Sequence, residues 1–128
     1  MIRRLIVSTA AIAALTGAAL APALADEAQE VMTAGQHAGM AAGSADIKMV
    51  HMHLHHVVNC IVGPSGEGFD KTAGNPCDGK GNGAEMDAGP DKKAWFDGIL
   101  AKAWDGIKSD DLATAKKDAG DIQATLTK

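Results

Sequence analysis

The chain has 128 residues, of which 46% are hydrophobic and only 3% are aromatic, and its formal net charge is −4. A chain of this length is expected to form one domain with a modest core. The acidic balance argues against binding to nucleic acid or to anionic membrane surfaces. Few aromatic residues together with abundant alanine and glycine favour close-packed helices over strands, so an all-α fold is expected.

The first 25 residues have the pattern of a signal peptide. Two arginines precede an apolar stretch over residues 5–20, and a small-x-small sequence at residues 23–25 predicts cleavage before Asp26. The apolar stretch is shorter than the roughly 20 residues that a membrane-spanning helix needs. We therefore expect residues 26–128 to form a single helical domain, periplasmic or secreted, with no stable membrane insertion after cleavage.

Apolar residues recur at helical spacing in four segments, which predicts helices over residues 27–42, 45–62, 91–107 and 110–127. Ser44 and Ser109 are expected to cap the second and the fourth. The short connection at Gly43-Ser44 predicts a helical hairpin, whereas residues 63–90, rich in Gly, Asn, Asp and Pro, predict a long loop. The expected fold is an antiparallel four-helix bundle built of two hairpins.

The two cysteines, Cys60 and Cys77, are expected to form a disulfide, because an exported chain meets an oxidising compartment. Closing a loop of this length should stabilise the fold by about 3 kcal/mol in the chain-entropy model. The alternative is that both cysteines are soft metal ligands. In either case the long loop is tied to the second predicted helix.

Four of the five histidines lie within residues 51–56. With successive residues 100° apart on a helix, His51 and His55 lie on one shoulder of the core stripe, and His53 and His56 lie on the other. A pair spaced i, i+4 can present two imidazoles to one cation. We predict His51 and His55 as the main half-site, completed by His37 of the first helix, with His53 and His56 as a second, looser site.

Neutral imidazoles suit copper, zinc and nickel, and the Irving–Williams order favours Cu(II) among them. Met49 and Met52 are candidate thioether ligands, which select Cu(I), so copper is predicted before any other divalent transition metal. One alternative is a noncovalent haem held by His37 together with His51 or His55, since no Cys-x-x-Cys-His motif is present for covalent attachment. A further alternative is an interaction or stress protein whose histidines respond to pH.

Two other features of the sequence give weaker evidence about function. Residues 78–83 begin like an EF-hand calcium loop, but Lys80 occupies a ligand position and Gly89 stands where the bidentate Glu should be. A plain turn-rich loop is therefore the favoured interpretation, with Glu85 and Asp87 as stray candidate ligands. No nucleophile elbow, P-loop or dinucleotide fingerprint is present in the sequence, and we expect a protein that is not an enzyme.

The hairpin that contains these histidines supports a resemblance. The combination of His37, the pattern His51-x-x-x-His55-x-x-x-Asn59-Cys60 and the loop motifs 63–64, 75–77 and 81–83 resembles uncharacterised exported bacterial helical proteins. Residues 27–63 are also similar to the His-rich small metal-binding proteins of the periplasm, helical bundles that take up copper and other divalent ions. That resemblance implies one or two metal sites on His37, His51 and His55, because the third and fourth predicted helices contain no histidine.

Overall fold

The computed structural model describes the backbone of residues 20–128 and the side chains of residues 26–128. Within these residues the protein is all-helical and has no strand. The described residues form five α-helices: α1 (Leu20–Gly43), α2 (Ile47–Val62), α3 (Ala84–Ala88), α4 (Lys93–Lys108) and α5 (Leu112–Leu126). A 3₁₀ turn over Pro90–Lys92 leads into α4. The apolar stretch of the predicted signal peptide lies almost entirely outside the described residues.

The four long helices correspond to the four predicted segments, with two differences. Helix α1 begins before the predicted residue 27, and the predicted loop contains a further helix. Helix α1 begins at Leu20 and therefore runs through the predicted cleavage position before Asp26. The predicted loop 63–90 contains the five-residue helix α3, which packs against α1 and α2. Sequence periodicity missed α3 because a helix this short shows little more than one turn of pattern. No helix described in residues 20–128 is long and apolar enough to cross a membrane.

The apolar stripes meet in one core. Helix α1 packs against α2 and α5, and α4 packs against the same two helices. The stripe of α1 consists of the fully buried Ala34, Ala38 and Ala41, and such small side chains allow neighbouring helix backbones to approach closely. Most residues of the apolar stripes of α2, α4 and α5 are also buried, with Leu54, Phe96 and Ile122 among the largest side chains.

The helix caps differ from the prediction at the start of α2 and α5. Asp46 caps α2, its Oδ1 accepting a hydrogen bond from the Met49 amide at 3.0 Å. Asp111 caps α5 in the same way through the Thr114 amide at 2.7 Å. The predicted cap Ser44 instead donates to the Met40 carbonyl at the end of α1. Asp46 and Asp111 act as the caps because each directly precedes the first residue of its helix, which is the N-cap position.

Candidate metal centre

Three histidines of α1 and α2 form a cluster. His37 Nδ1 lies 3.2 Å from His53 Nδ1 and 3.1 Å from His56 Nδ1. One ring nitrogen of each residue lies within 4.8 Å of the others, and among the residues that the structure describes this is the only such group of three metal-ligating side chains. The three rings are tilted or edge-on to one another rather than stacked.

The helical sequence explains why these three residues meet. His53 and His56 are spaced i, i+3 and therefore lie on the same side of α2. On α1, His37 lies near the small residues Ala34 and Ala38, which are fully buried. Helices α1 and α2 pack directly against each other, and in this packing the His37 ring contacts both imidazoles of α2.

The tautomer of His56 is determined by a contact with the loop. Its Nε2 lies 2.6 Å from the Ala73 carbonyl oxygen. A carbonyl can only accept, so Nε2 carries the proton and the Nδ1 of a neutral His56 has a free lone pair. That lone pair faces the cluster. A histidine that ligates a metal commonly donates its other N–H to a carbonyl or carboxylate in this way.

The nitrogen spacing is compatible with a shared ion. Two ligands bound tetrahedrally at a metal–nitrogen distance of about 2.0–2.1 Å are about 3.3–3.4 Å apart. The observed separations of 3.2 and 3.1 Å between Nδ1 atoms are close to this value. Small side-chain movements are therefore enough to place the three nitrogens around one ion.

Burial and neighbouring imidazoles keep His37 and His53 neutral. Burial, followed by the neighbouring His56 and His53, lowers the pKa of His37 to about 4. Burial, followed by His56, also lowers the pKa of His53. Both imidazoles are therefore uncharged at neutral pH, which is the form that binds metal.

His51 and His55 do not meet in the arrangement that the sequence predicted. The His51 Nε2–H donates to the Ser109 carbonyl at 2.9 Å, at the end of α4. The His55 ring lies edge-on to Trp104, with its Nδ1 3.5 Å from Asp70 Oδ2. Spacing of i, i+4 aligns the backbone positions of the pair, but each ring turns to its own partner from another part of the fold. His37 instead joins His53 and His56, the pair that had been predicted as the looser site.

The other sequence-predicted ligands have different positions in the structure. Met49 is 39% exposed on α2, and Met52 is half-buried. Cys60 and Cys77 form a disulfide. In the EF-hand-like segment, Asp87 accepts hydrogen bonds from the Asn82 amide and side chain, and Glu85 pairs with Lys93. Glu85 and Asp87 both lie in α3, the short helix within the segment that was expected to be a loop.

Two groups at the site, the Ala73 carbonyl and the Asn59 side chain, were not assigned a role from the sequence. The Ala73 carbonyl is a backbone group, and no side-chain pattern can reveal it. Asn59 is a fully buried polar residue in the apolar region of α2, and its side chain bonds the Asp70 and Gly74 carbonyls. A lone amide among apolar residues of a helix was the available signal, because a buried amide needs partners.

Comparison of the chain with protein-family models, with curated proteins and with solved structures found no match.

Proposed function

We propose that the protein binds one divalent transition metal ion through the Nδ1 atoms of His37, His53 and His56. The observation that carries the proposal is the convergence of the three side chains, with two Nδ1–Nδ1 separations of 3.2 and 3.1 Å. The low pKa values of His37 and His53 support it, because no proton has to be displaced from either ring at neutral pH. The fixed tautomer of His56 supports it further.

Copper is the metal that this ligand set favours first. Three neutral imidazole nitrogens are borderline ligands, and for such sites the Irving–Williams order places Cu(II) above zinc and nickel. Three protein ligands also leave a coordination position for water or for a donor from another molecule. Such an open site suits metal exchange better than permanent structural binding, so we propose uptake or transfer of the ion.

The proposed setting is outside the cytoplasm. The Cys60–Cys77 disulfide supports it, since such bonds persist in oxidising compartments. The signal-peptide pattern of residues 1–25 agrees with it. We further propose that the four long helices form the antiparallel bundle expected from the sequence, in which α1 and α2 supply the metal centre and α4 and α5 complete the core.

Titration of the metal-free protein with Cu(II) and Zn(II) tests the proposal. We expect one ion per chain, a higher affinity for Cu(II), and loss of most of the affinity in His37→Ala and in His53→Ala. His51→Ala is the matched control, because it removes an imidazole from the same hairpin whose ring bonds Ser109 instead of the cluster. The proposal fails if wild type binds no more tightly than the His37→Ala protein, or if His51→Ala is equally damaging.

A further inference from the structure

We infer that residues 70–77, here called the anchored loop, position His56 for metal binding and that Asn59 is the positioning residue that holds this loop in place. The inference deepens the proposed function, because it names what sets the geometry and affinity of the same centre. It starts from the contact between His56 Nε2 and the Ala73 carbonyl at 2.6 Å. The Ala73 carbonyl can orient the His56 ring only if the loop is held against α2.

Asn59 makes the connection from the helix to the loop. Its Nδ2 donates to the Asp70 carbonyl at 2.8 Å and to the Gly74 carbonyl at 2.6 Å, and its Oδ1 accepts from the Asp70 amide at 2.8 Å. The amide side chain thus bonds on both sides of Ala73. It is fully buried, and losing buried hydrogen bonds of this kind leaves unpaired polar groups, which is costly.

Two further contacts tie the same loop to α2. The Cys60–Cys77 disulfide joins the last residue of the anchored loop to the position next to Asn59. At the other end, Asp70 lies 3.5 Å from His55 Nδ1, and its Oδ1 accepts hydrogen bonds from the Thr72 amide and hydroxyl. His56, Asn59 and Cys60 therefore bond to successive parts of one loop from two adjacent turns of α2, and the His55 ring lies beside Asp70.

The consequence for the metal centre is a fixed ring. Imidazole in water exchanges between two neutral tautomers, and only the form protonated on Nε2 offers Nδ1 to the cluster. The Ala73 carbonyl selects that form and the ring orientation together. If the loop moves, the tautomer and the ring orientation of His56 should no longer be fixed. Loss of the hydrogen-bond partner of a metal ligand typically weakens metal affinity about 10- to 100-fold.

Two variants should move the loop without substituting a proposed ligand. Asn59→Ala removes the connection itself. Gly74→Ala places a side chain on a backbone with φ of +86°, next to His56 Nε2, so the loop must shift to relieve the strain. Gly79→Ala is the matched control, since its φ is +72° but nothing lies within 4 Å of its added Cβ. It imposes a similar backbone strain beyond the disulfide.

The experiment is long-range ¹H–¹⁵N NMR of the imidazoles in the metal-free protein at about pH 8, above the usual histidine pKa of about 6.5. His56→Gln assigns the His56 signals. We expect wild type and Gly79→Ala to show His56 protonated on Nε2, and Gly74→Ala and Asn59→Ala to show a mixture of tautomers. Cu(II) and Zn(II) titrations of the same proteins should give about tenfold weaker binding for those two variants.

The inference is overturned if wild-type His56 is protonated on Nδ1, or if its tautomer is unchanged in Gly74→Ala. It is also overturned if Gly79→Ala changes the tautomer as much as Gly74→Ala does. If Asn59→Ala does not fold, the glycine pair still decides the matter. Because the NMR measurement needs no metal, a wild-type protein that binds no metal would defeat the proposed function alone, whereas an unchanged tautomer would defeat the positioning role alone.

Discussion

His37 Nδ1 and His56 Nδ1 lie 3.1 Å apart, although the two residues are 19 positions apart in the chain and belong to different helices. Because Nε2 of a neutral His56 carries the proton, one hydrogen at most lies between these two nitrogens. A second hydrogen between them would set two N–H groups against each other and leave a positive charge in a half-buried position. Acid and metal ions therefore compete for the same nitrogens.

Acid should destabilise the metal-free fold through His37. Its pKa is about 4 in the folded protein against an ordinary value of 6.5, because of burial and then its histidine neighbours. An unfolded chain therefore takes up a proton that the folded chain refuses, so this stabilisation is present above pH 6.5 and is lost as the pH falls towards 4. Urea unfolding should show a loss of at most about 3 kcal/mol over that range.

The matched comparison for this acid effect is His37→Gln against His51→Gln. The first variant should flatten the pH dependence between about pH 6.5 and 4, because it removes the buried base. His51→Gln should keep the pH dependence of stability that comes from His37, since His51 bonds Ser109 outside the cluster. Identical acid dependence in wild type and His37→Gln would contradict the electrostatic description of the centre.

Alkali should destabilise the fold through Glu30, which is 1% exposed. Burial first, and then the negative charges of Asp87 and Asp26, raise its pKa from 4.5 to about 7, although a hydrogen bond from the Gly83 amide opposes the shift. The folded state therefore holds a proton longer than the unfolded chain. This stabilisation is complete below pH 4.5 and is lost as the pH rises through 7.

Glu30→Gln tests this sign, because an amide oxygen can still accept from Gly83 while the ionisable group is removed. Between about pH 5 and 8.5, wild type should lose about 2 to 3 kcal/mol of unfolding free energy that the variant keeps. Glu67→Gln, at an exposed loop position, is the control. A wild-type stability that stays level through pH 7 would refute the prediction.

Glycines at two positions of α4 should respond oppositely to alanine. A Cβ at Gly106 would lie 2.7 Å from Leu54 Cδ1 in the buried contact with α2, whereas nothing lies within 4 Å of a Cβ at Gly98. Gly106→Ala should therefore destabilise by about 1–3 kcal/mol through overpacking. Gly98→Ala should stabilise by about 0.5–1 kcal/mol, because alanine favours an exposed helix. Urea midpoints that move in the same direction would contradict this description of the α2–α4 contact.

Removing the Asp46 cap should cost more than removing the hydroxyl of Ser44, the residue first expected to cap α2. Asp46→Ala deprives the Met49 amide of its partner and should destabilise by about 1 kcal/mol. Ser44→Ala removes an exposed hydrogen bond to Met40 and should change stability by no more than about 0.5 kcal/mol. Thermal unfolding of the two variants compares them directly, and the reverse order would assign the cap to Ser44.

Several features were predictable because they depend on local order along the chain. The apolar residues of α2 recur every three or four positions, and burial of that face follows from the helix period alone. The Cys60–Cys77 disulfide followed from there being two cysteines in a chain with an export pattern. The assignment of Ser44 as a cap failed because two residues with capping side chains, Ser44 and Asp46, stand before α2 and only the backbone geometry shows which one adjoins the helix.

Local spacing was enough to predict that the five imidazoles lie on one helical pair and that α2 carries four of them on two shoulders, since helix geometry places residues within one element. The packing of distant elements determines that His37 meets His53 and His56, whereas His51 bonds Ser109 and His55 lies beside Asp70. Which histidines meet depends on the position of α1 along α2. It also depends on where the end of α4 and residues 70–77 provide hydrogen-bond partners. These are relations between elements distant in the chain, and residue spacing within one helix contains no information about them.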